Sequence, residues 1–129
     1  MPAHLKTEIR SADVVFHARR FIKPLQLSSG AITEITEARA TVQVQVGGLV
    51  ATGRGAMYLS DLWAWPEASL SHEQRDAVLR EIGAAIASDL NALCGGEAAH
   101  PLELGLRLHH AVCEEAAFLR HPAVSSLAL

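Results

Sequence analysis

The sequence predicts an α+β fold: a three-stranded antiparallel meander sheet followed by a helical bundle of about three helices packed on it. Three observations carry this. The front half alternates with a period of two, a Gly-Gly pair separates two β-type runs, and the back half carries capped stretches with helical spacing.

The first strand is read from Val14-Val15-Phe16 and Phe21-Ile22, all β-favouring residues. Pro24 lacks a donor and pushes Lys23 toward extended geometry, so the ladder is expected to stop or lie at an edge there. Ser28-Ser29-Gly30 reads as a turn. The clearest strand runs from about Glu37 to Val46. Ala40, Val42, Val44 and Val46 alternate with Arg39, Thr41, Gln43 and Gln45, which separates an apolar face from a polar one. Gly47-Gly48 then joins it to Leu49-Val50-Ala51-Thr52 by a tight hairpin. The segment from Gly53 to Pro66 has neither period. It holds both tryptophans, the only tyrosine and the internal methionine, and reads as a long aromatic loop. Its aromatic residues suit either a ligand pocket or interface, or a cap folded back on the sheet. Asp61 reads as the cap of a short turn at Leu62-Trp63.

In the back half, Ser71-His72-Glu73-Gln74 fits a capping box. Val78, Leu79, Ile82, Ala85, Ile86, Leu90 and Leu93 form one stripe, with Arg75, Asp76, Arg80 and Glu81 mostly opposite. Gly95-Gly96 supplies a stop, and Pro101 suits the first position of another helix. That helix places Leu104, Leu108, Ala111, Val112, Glu115 and Leu119 on one broad face and is expected to end near Arg120, before Pro122. The chain therefore divides into strands over about residues 5–56, the aromatic loop over 53–70, helices over 71–120 and an uncharged, apolar tail over 121–129, all in one domain.

Composition excludes several classes. Half the residues are apolar, so the chain is not globally disordered. With 11 Lys+Arg against 14 Asp+Glu, there is no general cationic surplus for nucleic acid. No apolar run reaches membrane-span length, and Met1 to Arg10 has no signal-peptide core. The expectation is a cytoplasmic protein with Cys94 and Cys113 as free thiols. His109 and Cys113, or His110 and Glu114, share a helix face and supply two metal ligands each. A structural site needs about four, so these residues read as a helix surface, with His109 and Cys113 at the core edge. Gly53-Arg54-Gly55 lacks the further glycine and Lys-Ser/Thr of a phosphate loop.

Taken in order, these pieces resemble the amino-terminal capping domain of the enolase superfamily, in its mandelate racemase and muconate-lactonizing group. Arg20-Phe21-Ile22-Lys23-Pro24-Leu25 with Ser28-Ser29-Gly30 looks like that family's first strand and loop. Thr36 to Val46 looks like its second strand, and Gly48 to Gly55 like its hairpin and third strand with a Gly-x-Gly. Ala56 stands where the family commonly has Glu.

The resemblance implies a domain that encloses the substrate of a Mg²⁺-dependent enzyme abstracting an α-proton from a carboxylate, of isomerase or lyase type. In that superfamily a separate β/α barrel holds the metal and the Lys or His base. Two loops of the capping domain close over the barrel mouth. Mapped here they are about Lys23 to Ala31 and Arg54 to Trp65, with Lys23, Gln26, Ser28, Ser29, Arg54, Met57, Tyr58 and Trp63 as substrate-contacting residues. Lys23 or Arg54 would meet an anionic group, and Met57, Tyr58 and Trp63 would wall the pocket; taken singly, Lys23 and Arg54 also read as solvated cations. A barrel takes about 250 residues, and none of the 129 here matches its metal ligands or base. The chain alone is expected to be catalytically inert and to carry no cofactor. Its expected partners are a C-terminal barrel of the same enzyme and further copies of itself. The apolar tail fits a chain that continues into that barrel. The alternative is a stand-alone homo-oligomeric interaction module using the aromatic loop and apolar tail.

Overall fold

The computed structural model describes residues 6–28, 30–64 and 69–114. Three strands, β1 (Thr7–Leu27), β2 (Gly30–Val46) and β3 (Leu49–Leu59), form an antiparallel sheet in the order β1-β2-β3. Four helices follow among the described residues: α1 (Asp61–Ala64), α2 (His72–Ser88), α3 (Leu90–Leu93) and α4 (Pro101–Glu114). The fold is α+β.

The hairpin at Gly47-Gly48 is tight, with Val46 paired to Leu49. Gly47 has φ +60° while Gly48 does not take a positive φ, which is the pattern of a II′ turn. The valine face of β2 turns toward the helices. Ala38, Leu59 and Leu79 form one buried cluster, with Val14 and Phe16 packed against it. Cys94, Ala99 and Leu104 form a second, joined by Ile9, Leu90 and Leu108. An open apolar groove of about 440 Å³ separates the sheet from α2 and α4, lined by Val42, Met57, Ile86 and Leu108 among others.

Four expectations are settled or corrected by the structure. First, of the two outcomes expected at Pro24, stopping or lying at an edge, the edge holds: β1 is an edge strand, where a missing donor is tolerated, and the disturbance appears as a register shift. Between Arg20↔Glu34 and Leu25↔Ile32, β1 spends Phe21 to Pro24 where β2 spends only Thr33. Second, the aromatic segment is not irregular from Gly53. Residues Gly53 to Leu59 pair in register with Val42 to Thr36. β3 is the other edge of the sheet and its residues before Leu59 are exposed on both faces, so no apolar alternation marks it. Third, the long helical stripe breaks at Asp89, whose N–H bonds back to Ala85 O and which separates α2 from α3. Fourth, Arg75 and Asp76 are buried. Arg75, Leu79, Ile82 and Ile86 recur at helical spacing, so the two charges continue the buried stripe instead of opposing it.

Other features match. The Ser71 hydroxyl accepts from Gln74 N at 3.1 Å, and the Gln74 side chain accepts from Ser71 N at 2.8 Å, closing the capping box. Gly95 and Gly96 take positive φ after α3, and Pro101 opens α4. Leu104 and Val112 are buried on α4. The predicted end of that helix near Arg120, with Glu115, Leu119 and the tail over 121–129, lies outside the described residues. At the other end of β1, Thr7 and Ala99 exchange two backbone hydrogen bonds of 2.8 and 3.0 Å. Asn91 Nδ2 donates to Ile9 O at 2.7 Å, satisfying a carbonyl beside the register shift at Arg10.

Candidate functional site

The lengths of the strands create the site. β3 ends at Leu59 opposite Thr36, while β1 and β2 run on to the Leu27↔Gly30 closure. The stretch from Arg19 and Ile35 outward is thus a two-stranded arm beyond the edge of β3. It exposes Ile22, Leu25 and Leu27, with Ile22 in the register shift fully open to solvent. Lys23, Gln26 and Ser28 lie along the same arm and are exposed. Ser29 lies outside the described residues.

The chain leaving β3 turns at the base of this arm. Trp63 N donates to Ser60 O at 3.2 Å, opening α1. Asp61, only 2% exposed, is the anchor. Its Oδ2 accepts from Arg75 Nε at 3.0 Å and its Oδ1 lies 2.9 Å from His72 Nδ1. Arg75, itself buried, also donates to the Leu70 carbonyl. Asp61 therefore does more than cap a turn: it ties α1 to the start of α2 and holds the exposed Trp63 at this end of the sheet.

A second polar network braces the same end. Arg80 Nε donates to Asp76 Oδ2 at 2.8 Å, and Arg80 Nη2 donates to the buried Thr36 Oγ1 at 2.8 Å. The Arg80 guanidinium also sits 5.6 Å from the centre of the Phe16 ring, a cation–π distance. Asp76 Oδ1 is buried without a partner. Sequence reasoning missed both networks. The signal was available in the spacing of Arg75 and Asp76 ahead of Leu79, on the face that packs.

The remaining site candidates separate. Met57 and Tyr58 are neighbours on a strand and so project to opposite faces. Met57 lines the groove under the helices. Tyr58 stands on the outer, polar face opposite Glu37, which pairs in turn with His17. Glu37 accepts hydrogen bonds from Arg39 Nε and, at 3.4 Å, from Arg19 Nε. The Arg39 bond foremost, opposed by burial and helped by Arg19, holds the Glu37 carboxyl below its ordinary range. Arg54 lies in mid-strand opposite Thr41. Four residues of strand, about 14 Å, separate it from Tyr58. The structure thus groups Lys23, Gln26, Ser28 and Trp63 at one end, sets Tyr58 near the arm's base, and leaves Arg54 and Met57 apart. Trp65 lies outside the described residues.

No family model, curated protein or solved structure matches the chain. The geometry therefore stands by itself. Beyond the Arg20↔Glu34 pair, Lys23, Gln26 and Ser28 bring an ammonium, an amide and a hydroxyl, which donate hydrogen bonds to an anion. They are not the carboxylate set that holds Mg²⁺. Among the described residues, no three His, Cys, Asp or Glu side chains come together around a possible metal position. Among those residues, too, no helix is long and apolar enough to cross a membrane.

Proposed function

We propose that this chain is a substrate-enclosing capping domain, resembling that of the mandelate racemase and muconate-lactonizing group, and that it works with a Mg²⁺-dependent β/α barrel on carboxylate substrates. The observation that carries the proposal is the two-stranded arm. A two-stranded ribbon beyond the end of β3 that buries Ile32 but exposes Ile22, Leu25 and Leu27 beside Lys23, Gln26 and Ser28 is suited to lying over another surface. Trp63 at the same end adds an exposed apolar surface on the turn that the Asp61–Arg75 pair anchors.

The physical role is exclusion of water and placement of the substrate. Closing a site strengthens every electrostatic interaction inside it. Lys23 would meet the distal anionic group, Gln26 and Ser28 would orient it, and Trp63 would cover its apolar part. The metal, when bound in the barrel, supplies stabilisation of the enolate charge. Arg54 and Met57 are withdrawn from the substrate-contacting set, because one lies in mid-strand on the polar face and the other under the helices.

The test supplies a barrel of this group as a separate domain, lacking its own cap. Mg²⁺-dependent deuterium uptake at the α-carbon of a panel of carboxylates is then followed with and without this chain. Exchange that depends on the chain and is weakened by Lys23→Ala supports the proposal. Equal exchange with and without the chain contradicts it. Self-association through the arm in the absence of any barrel would favour the interaction-module reading.

A further inference from the structure

We propose that His109 and Cys113 form half of a Zn²⁺ site, completed by the same two residues of a second copy packed in parallel along α4. The side chains are already placed for one ion. Cys113 Sγ and His109 Nε2 stand 3.9 Å apart across one helical turn. Two ligands on a tetrahedral Zn²⁺, with bonds of about 2.3 Å to sulfur and 2.0 Å to nitrogen, stand about 3.5 Å apart. A small side-chain rotation closes the difference without moving the backbone.

One chain brings two ligands and a closed structural site takes four, so the pair is incomplete by itself. Among the described residues nothing supplies the other two. His110 turns away, its ring 6.1 Å from that of His109 and edge-on, and the Glu114 side chain lies outside the described residues. The other cysteine, Cys94, is buried in the second core cluster.

The face that carries the pair supplies the rest of the argument. Leu102, Leu106, His109 and Cys113 follow one another at spacings of four, three and four, the seam of a two-helix coiled coil. Leu102 and Leu106 of this stripe are exposed, while His109 borders a small groove shared with Gly105, Val112 and Ile86 of α2. Gly105 flanks the stripe with open space where a Cβ would stand, so a second helix can approach closely. A twofold axis along the seam sets each position level with its own copy. Leu102 and Leu106 then pack on their counterparts, and two His109 and two Cys113, on adjacent turns, converge as a Cys₂His₂ set. Binding one Zn²⁺ converts two thiols to thiolates, releases two protons to solvent, and uses both imidazoles neutral. The site is on a different element from the arm and is independent of the capping proposal.

The experiment uses the untagged full chain, stripped of metal and held in a non-thiol reductant that prevents a Cys113–Cys113 disulfide. Molecular mass by light scattering and bound metal by elemental analysis are followed as Zn²⁺ is added. The expected result is one Zn²⁺ per two chains, with a dimer at least about tenfold tighter than without metal, since an ion held by the dimer alone stabilises it by mass action. Co²⁺ as a probe should give tetrahedral bands and thiolate charge transfer. His109→Ala and Cys113→Ser, both at surface positions, should each abolish the metal-linked dimer, with the far-UV circular dichroism unchanged. Leu106→Glu should weaken it, and His110→Ala should leave it alone. One Zn²⁺ per monomer, no binding, or a dimer indifferent to metal and to His109→Ala would each overturn the proposal.

Discussion

Replacing Asp61 with alanine should destabilise the domain by about 3 kcal/mol. Asp61 is 2% exposed and Arg75 6%. The carboxylate is the acceptor for Arg75 Nε at 3.0 Å and the partner of His72 Nδ1 at 2.9 Å. Removing it breaks a buried ion pair on the Arg75 side, a change that costs about 3–5 kcal/mol. Arg75 keeps its bond to the Leu70 carbonyl, which holds the value at the lower end. Urea unfolding followed by tryptophan fluorescence is the assay, since Trp63 stands on the anchored turn. With a slope of about 1.5 kcal/mol/M, the midpoint should fall by about 2 M. A double-mutant cycle with Arg75→Met should recover part of the loss, because the buried guanidinium that Asp61 pairs with is then absent. A midpoint shift below about 0.5 M at unchanged slope would refute the reasoning, as would full additivity in the cycle.

Other consequences are simpler to measure. Leu79→Ala empties the centre of the cluster made with Ala38 and Leu59, and should cost about 3 kcal/mol in the same assay. Glu37 titrates below its ordinary value, so its contribution is present above that value and lost as pH falls through the lower folded one; Glu37→Gln should flatten the acid limb of stability against pH over that window. Burial raises the Cys94 thiol and Cys113 is only half-buried. Iodoacetamide at about pH 8 should therefore label Cys113 in the native state and reach Cys94 only after unfolding, as read by peptide mass spectrometry.

Regular features of the fold were readable wherever one face is buried and the other wet. The valine alternation of β2, the Gly47-Gly48 turn and the Ser71 capping box each have a local physical cause, and each stands where its residues predict. β3 escaped because its exposed edge removes the apolar contrast that periodicity needs. At Pro24 the missing donor allowed two outcomes, a stop or an edge, and the structure takes the edge, which tolerates what a central strand does not. That Lys23, Gln26 and Ser28 stand beside the β1–β2 turn was readable from the Ser-Ser-Gly signal. The separation of Met57 from Tyr58 follows from strand geometry once Gly53 to Leu59 is a strand, and a loop assignment concealed it. The Asp61–Arg75 anchor depends on a contact between residues fourteen apart, for which neither has a local signature.

The capping proposal predicts where the chain would meet a barrel, and hydrogen–deuterium exchange reads that directly. Amide exchange of the chain should be compared with and without a barrel of the mandelate racemase and muconate-lactonizing group. The account predicts slowed exchange concentrated in the arm over residues 20–34 and around Tyr58 to Trp63, with α4 little changed. Protection confined to α4, or none at all with the barrel in excess, would contradict it.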